Sequence, residues 1–316
     1  MEVNLYHYSI DRFIDMLQCP DCRSKIINVK TGLTCVSCKR HYHIDNGIPM
    51  MLPSKMSSEM KTTISKWNQN YLNWTQEGLS KLREDFYSNY LDDIIKDIEL
   101  AREFRKDEMF CEIGCGPSWI GMEMAKKRYC VVAFDCSIEA LKLAKKIYTQ
   151  NGVKGFFICG DMLKSPFKEN LFHLTYGGGT IEHFRNTQQA VDEIYRITAR
   201  GGSAFNTVPY LSVSSLTYRQ RWGNIPDLPV LKQIAEIVHI RLLKEKYMIF
   251  GYEKSFTMKK LKKIFCKAGF YNVKIEQYRC HLPINFIKNE YIKVFIRKLA
   301  LNQLFWPMVY IIAYKH

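Results

Sequence analysis

The chain has 316 residues, 47% of them apolar and 13% aromatic, which is enough to bury a core and excludes a wholly disordered polypeptide. Its 46 Lys and Arg exceed its 31 Asp and Glu, giving a net charge of +15, and residues 230–316 hold about 17 of the basic side chains against about 5 acidic ones. The basic surface therefore lies toward the C-terminus, a pattern that suits RNA, an anionic membrane surface, a phosphorylated substrate or plain solubility. No apolar run approaches the roughly 18 residues of a spanning helix and no N-terminal stretch reads as a signal peptide, so a soluble, cytoplasmic protein is expected. The eleven cysteines, an odd number with four in two Cys-x-x-Cys pairs, favour a reducing compartment and a metal site over disulfides.

Residues 1–53 read as a compact, turn-rich unit. Its pairs Cys19-Pro20-Asp21-Cys22 and Cys35-Val36-Ser37-Cys38 are separated by 12 residues. Two such turns aim four thiolates at one point, and four protein ligands leave no open coordination position, so a structural metal is expected, with zinc favoured by the all-thiolate set. A redox pair would be a single Cys-x-x-Cys beside a βαβ unit, which is absent here. His41 and His43, just beyond the last cysteine, are read as surface residues rather than ligands. The segments Leu17–Cys22, Leu33–Cys38 and Tyr42–Leu52 resemble the small zinc-ribbon proteins that activate tRNA, rRNA and release-factor methyltransferases. That resemblance implies a zinc ribbon supporting a second domain in the same chain.

Residues 54–108 begin with a polar stretch, Ser54 to about Gln76, and continue with Phe86, Leu91, Ile94, Ile95 and Ile98 at helical spacing. From Met109 strands and helices alternate: strand 109–113, helix 119–128, strand 130–135, helix 137–149, strand 155–159, strand 171–176, helix 186–199 and strand 203–208. Alternation of this kind implies a parallel sheet covered on both faces. Inserted helices are expected at about 210–255 and 280–303. A helix at 257–268, a strand at 271–278 and a last strand at 307–314 complete the domain at 109–316.

The run Phe110-Cys111-Glu112-Ile113-Gly114-Cys115-Gly116-Pro117-Ser118 is an apolar strand entering a glycine turn that a ligand must approach closely. A dinucleotide fingerprint would need glycine where Trp119 stands, which argues against NAD. Glu112 would repel a phosphate there but suits the cationic amino group of S-adenosylmethionine. Asp135 closes the second strand 23 residues later, where a carboxylate accepts ribose hydroxyls. These residues resemble the first motifs of class I S-adenosylmethionine-dependent methyltransferases, with Ser118 in place of the third glycine. The resemblance implies a seven-stranded, doubly wound, Rossmann-like α/β sheet whose last strand is antiparallel. It implies cofactor contacts at Glu112, Gly114, Cys115, Gly116, Asp135, Cys136, Asp161, Met162 and Gly178, with Asp161 at the adenine amino group and Met162 against its ring.

Small residues Gly177–Gly179 would let the methyl donor meet its acceptor, and His183, following that turn, is the candidate general base. The 210–255 insertion and the helices before Met109 are expected to form the lid, with Tyr218, Arg219, Arg221, Trp222 and His239 as candidate liners. The acceptor read from this pattern is a small or lipid-linked metabolite such as a sugar, quinone precursor or natural-product intermediate. RNA is the alternative, and a non-catalytic ribbon protein with a retired pocket is a third reading. The stretch Ile284–Lys298 carries apolar residues near helical spacing among Lys288, Lys293, Arg297 and Lys298, a pattern that either packs on the last strand or lies on an anionic membrane. Nothing in the pattern assigns an oligomeric state.

Overall fold

The computed structural model describes residues 10–316 apart from 75–77, 79, 82, 85, 86, 104, 106, 107, 249 and 279–287. After helix α1 (Ile10–Asp15), strands β1 (Ile26–Val29), β2 (Gly32–Cys35) and β3 (His41–Tyr42) form a small antiparallel sheet beside the two cysteine turns. Strands β4 (Ile44–Asp45) and β5 (Ile48–Met51) are joined by Asn46 and Gly47, both at positive φ, as an Asn-Gly pair favours between antiparallel strands.

The main body opens with α2 (Ser58–Leu72), capped by the Ser57 hydroxyl, which accepts from the Met60 amide. Helix α3 (Asp92–Ala101) buries Ile94, Ile98 and Ala101, the stripe its spacing predicts; Phe86 lies outside the described residues. The alternation then runs β6 (Met109–Ile113), α4 (Trp119–Lys126), β7 (Cys130–Asp135), α5 (Ile138–Gln150), β8 (Phe156–Gly160), β9 (Phe172–Gly178), α6 (Thr187–Ile197) and β10 (Thr198–Pro209). The chain continues through α7 (Val213–Leu216), β11 (Ile225–Pro226), α8 (Pro229–Glu236), β12 (Lys254–Ser255), α9 (Met258–Ala268), β13 (Tyr271–Gln277), α10 (Glu290–Ala300) and β14 (Met308–Tyr314). Every residue of β6, β7 and β8 is buried, as in strands with helices on both faces.

The large sheet has nine strands in the order β13-β14-β10-β9-β6-β7-β8-β5-β4, rather than the expected seven. The seven from β6 to β14 follow the expected plan, with β14 antiparallel to β10. The other two come from the cysteine-bearing unit, where β5 pairs in parallel with β8 through Met50 to Cys159 and Met51 to Gly160. The ribbon is thus an extension of the main sheet. Phe13 stacks on Phe156 with centroids 4.5 Å apart, and Arg23 pairs with Glu193 at 2.8 Å while donating to the Ser165 carbonyl. Asp21, inside the first cysteine pair, accepts from the Ser54 amide at 2.9 Å and pairs with Arg40 at 2.8 Å.

Residues 210–255 form a small core of their own. Tyr218 and Trp222 meet edge to face, Arg219 pairs with Glu253 at 2.9 Å, and Gln220 Oε1 lies 2.9 Å from His239 Nε2. Helix α8 continues as π-helical Ile237–Leu242. Of the expected 280–303 insertion, residues 280–287, including Ile284 and Ile287, lie outside the described residues. The packing of its helix on the last strand is not found, since none of the described side chains of α10 is buried.

Candidate functional site

The chain leaves β6 toward β7 but leaves β9 toward β10, so strand order reverses between β6 and β9. A crevice opens at their carboxyl ends, the place where open α/β sheets bind ligands. A cavity of about 440 Å³ occupies it. Gly114–Pro117 after β6, Asp135 and Cys136 at β7, Gly160 and Met162 at β8, and Gly178–Thr180 at β9 form one side; Met60, Trp67 and Tyr71 of α2 line it too.

The glycine turn is tightly constrained. Gly114 sits at φ +62°, and a Cβ there would lie 2.7 Å from Thr180 Oγ1, whose hydroxyl donates to the Ile113 carbonyl at 2.9 Å. Gly116 sits at φ +50°, and a Cβ there would lie 2.6 Å from the Tyr71 hydroxyl. Ser118, at the third glycine position of the motif, is also left-handed at φ +53°. Its strain is offset by a buried hydroxyl that donates to Glu112 Oε2 at 2.6 Å. Asp135 holds the turn from the other side, accepting from the Gly116 amide at 2.9 Å and the Ser137 amide at 2.8 Å.

Gly114, Cys115, Gly116, Asp135, Cys136, Met162, Gly178 and His183 all line the cavity. Glu112 and Asp161 do not. Glu112 lies behind the turn, where its Oε2 also accepts from the Gly121 amide at 2.8 Å, and burial pushes its carboxyl up to about 7. These two bonds brace the turn and the α4 N-terminus. Asp161 accepts from the Leu163 amide at 2.9 Å, capping the turn that presents Met162. Sequence alone places both carboxylates near the ligand, but the direction of each is set by which backbone amide it caps.

His183 Nδ1 lies 2.7 Å from the Tyr252 carbonyl oxygen. A carbonyl only accepts, so Nδ1 carries the hydrogen and the neutral ring keeps its lone pair on Nε2. Trp67 meets this imidazole edge to face at 6.2 Å and stacks on Phe250 at 6.5 Å. The neighbouring Glu182 is buried with Oε2 unpartnered among the described residues, and burial raises its carboxyl well above the usual range.

None of Tyr218, Arg219, Arg221, Trp222 and His239 lines the cavity; that part is taken by α2. Its Met60, Thr63, Trp67 and Tyr71 recur at three- and four-residue steps inside a stretch read as merely polar. That spacing is the signal that could have found the wall.

The sulfur atoms of Cys19, Cys22, Cys35 and Cys38 all lie within 4.8 Å of one another, with Cys19 to Cys38 at 3.6 Å and Cys22 to Cys35 at 3.4 Å. A tetrahedral thiolate site with bonds of about 2.3 Å has sulfur–sulfur edges of about 3.8 Å, so the set fits one ion with little adjustment. Arg23 and Lys39, one place after each pair, both adopt left-handed φ, and their amides donate to the Cys19 and Cys35 carbonyls. His41 is engaged with the Thr31 carbonyl and the Thr34 hydroxyl, away from ligand duty.

Residues 110–202 match the family described as a methyltransferase domain. Over 162 residues the chain is 27% identical to demethylmenaquinone methyltransferase of Lactiplantibacillus plantarum, an alignment covering 47% of this chain and 62% of that relative, less than two thirds of its length. Among solved structures, phosphoethanolamine N-methyltransferase 2 of Haemonchus contortus with S-adenosyl-L-methionine superposes with a TM-score of 0.55 at 15% identity, covering 84% of this chain and 61% of that one. A chain from the complex of the Haloferax volcanii Trm112 methyltransferase activator with a methyltransferase gives 0.54 at 12% identity, covering 79% and 98%. At such identities the likeness is one of fold.

The raised carboxyl of Glu112 has a measurable consequence. The native group titrates near 7 and the unfolded one near 4.5, so across that window the unfolded chain binds fewer protons and wild-type stability falls as pH rises. Glu112→Gln removes this titration. Denaturant unfolding at about pH 5 and about pH 8 should show the variant gaining on the wild type at the higher pH; a constant difference would assign Glu112 an ordinary carboxylate environment.

Proposed function

We propose that this chain is an S-adenosylmethionine-dependent methyltransferase acting on a small or lipid-linked metabolite through a protonated oxygen or nitrogen, with a structural zinc ion held by Cys19, Cys22, Cys35 and Cys38. The observation that carries the reading is the cavity itself, where the glycine turn and Asp135 face the cofactor side while Trp67, Phe184 and His183 line its continuation. When bound, the cofactor supplies an electrophilic methyl group on a sulfonium. Asp135 would accept the ribose hydroxyls, Met162 would border the adenine, and the glycine turn would admit the methionyl portion. His183 Nε2 takes the acceptor proton, its orientation fixed by the hydrogen bond from Nδ1 to Tyr252. Met60, Trp67 and Phe184 give the acceptor an apolar surround that excludes water. Enclosure by α2 favours a compact acceptor over RNA, and the relative named for demethylmenaquinone supports a lipid-linked one.

Calorimetry should detect S-adenosylmethionine binding, abolished in Gly114→Val and weakened by about 1–3 kcal/mol in Asp135→Ala, the usual cost of leaving polar partners unmatched. Binding of NADH in its place would overturn the cofactor assignment. Isotopically labelled cofactor incubated with cellular lipid, small-molecule and RNA pools should label one of the first two; label in RNA alone would overturn the acceptor. His183→Gln should lower that turnover by about 10²-fold with cofactor affinity unchanged. Elemental analysis should find about one zinc per chain. Cys35→Ser should lose the zinc and lower cofactor affinity as well, because β5 and Ser54 tie the ribbon to the cavity; loss of zinc with unaltered cofactor affinity would make the ribbon a passive attachment.

A further inference from the structure

Both long excursions from the sheet leave at the edge that carries the cavity. β10 ends at Pro209 and β13 at Gln277, while the antiparallel β14 begins at Met308; Val309 pairs with both Val208 and Gln277. The described residues that follow β10 and precede β14, 210–248 and 288–307, therefore adjoin the carboxyl edge of the parallel strands. Hydrogen bonds link the two: the Ser212 and Ser214 hydroxyls donate to the Trp306 and Phe305 carbonyls at 2.7 and 2.8 Å.

The helices on these excursions turn apolar side chains outward. In α8 and its continuation Ala235 and His239 are buried, whereas Val230, Ile234, Ile237 and Leu242 are exposed, Leu242 at 69%. α10 leaves Tyr291 89% and Phe295 61% exposed, with Leu301 and Leu304 beyond it also in the open. Isolated exposed leucines are ordinary, but apolar residues recurring at helical spacing on two neighbouring excursions mark a contact surface. The acidic residues of both helices are engaged: Glu236 with Arg185 and the Tyr252 hydroxyl, Glu245 with Lys66, and Glu290 with Lys293. Lys232, Arg241, Lys244 and Lys298 make no ion pair among the described residues, so the uncompensated charge beside the apolar stripe is positive.

We propose that α8, its π-helical continuation and α10 form a docking surface for an anionic phospholipid bilayer, with their apolar side chains among the headgroups and acyl boundary and the free lysines at the phosphates. Charge selects this occupant. Two copies of one basic face repel each other, whereas an anionic bilayer attracts it. Docked in this way, the edge that carries the cavity lies next to the membrane. The further step that a lipid-linked acceptor enters from the bilayer rests on the proposed methyltransferase reading; the docking does not.

The full chain is tested by sedimentation with vesicles of phosphatidylcholine alone or mixed with phosphatidylglycerol. It should pellet with the mixed vesicles at low salt, remain in solution with the neutral ones, and detach as salt screens the attraction. Lys232→Glu with Lys244→Glu should lower the partition on the order of tenfold. Val230→Glu, Ile234→Glu and Leu242→Glu together should abolish it, while calorimetric S-adenosylmethionine binding persists, since none of these three side chains lines the cavity. Protein that binds cofactor but no anionic vesicle overturns the docking and leaves the methyltransferase reading intact. Vesicle binding without cofactor binding does the reverse. Self-association through this face, seen in sedimentation velocity and removed by the same triple variant, would assign the surface to a second copy and overturn the membrane proposal.

Discussion

The parallel pairing of β5 with β8 is the constraint on which the rest of the site depends. Two residue pairs, Met50 with Cys159 and Met51 with Gly160, fix where the chain leaves the ribbon. Only Leu52–Ser57 then separates the sheet from α2, and so short a connection leaves little freedom in where that helix starts. Asp21 narrows it further by accepting the Ser54 amide from inside a cysteine turn. A metal bound by the four cysteines, as proposed, would therefore order Asp21, Ser54 and the base of the helix that carries Met60, Trp67 and Tyr71 into the cavity. The same pairing sets Gly160, where a Cβ would meet Phe134 at 2.8 Å and the Met51 carbonyl at 3.4 Å.

The electrostatics of the cavity follow from how many carboxyls the turn gathers. Glu112, Asp135 and Asp161 are all buried within one ligand's reach of the turn, and burial raises all three. Each is held by backbone amides that oppose the shift, so the site balances desolvation against fixed hydrogen bonds. A cationic ligand favours the ionised forms where an anionic one disfavours them. On charge alone, the proposed sulfonium suits such a site better than a pyrophosphate would. Glu112 takes part at a distance, through the turn it braces.

Much of this was legible because it is local. The strand from Met109 to Ile113, the left-handed glycines after it and the carboxylate closing β7 each announce themselves in a few consecutive residues, and the structure sets all of them around one cavity. The nine-stranded sheet was not legible, since a parallel pair between residues 50 and 159 leaves no periodic trace and Ile48-Pro49-Met50-Met51 reads as the end of the ribbon. The role of α2 was hidden by its composition: Lys, Gln and Asn on its outer face mask an inner row of Met60, Trp67 and Tyr71. Direction was the third blind spot. A carboxylate two residues before a glycine turn reads alike whether or not a neighbour will hold it, and the Ser118 hydroxyl that donates to Glu112 belongs to the turn's tertiary geometry rather than to any local pattern.

Helix α2 also joins the two ends of the molecule. Its N-terminus is tied to the cysteine-bearing unit through the Ser54 amide and Asp21, while farther along Lys66 pairs with Glu245 at 2.9 Å and Trp67 stacks on Phe250, both from the segment after α8. His183 is held by the Tyr252 carbonyl from that same segment. The cavity wall, the base candidate and the exposed helices thus share a short stretch of chain, residues 245–252. A displacement of the insertion, whether on docking or on loss of its salt bridge to Lys66, reaches Trp67 and His183 directly. The cysteine-bearing unit holds the other end of the same helix, through the β5–β8 pairing and the Ser54 amide on Asp21. Rigidity at one end and an adjustable contact at the other are what a wall needs if it is to admit an acceptor and then exclude water around it.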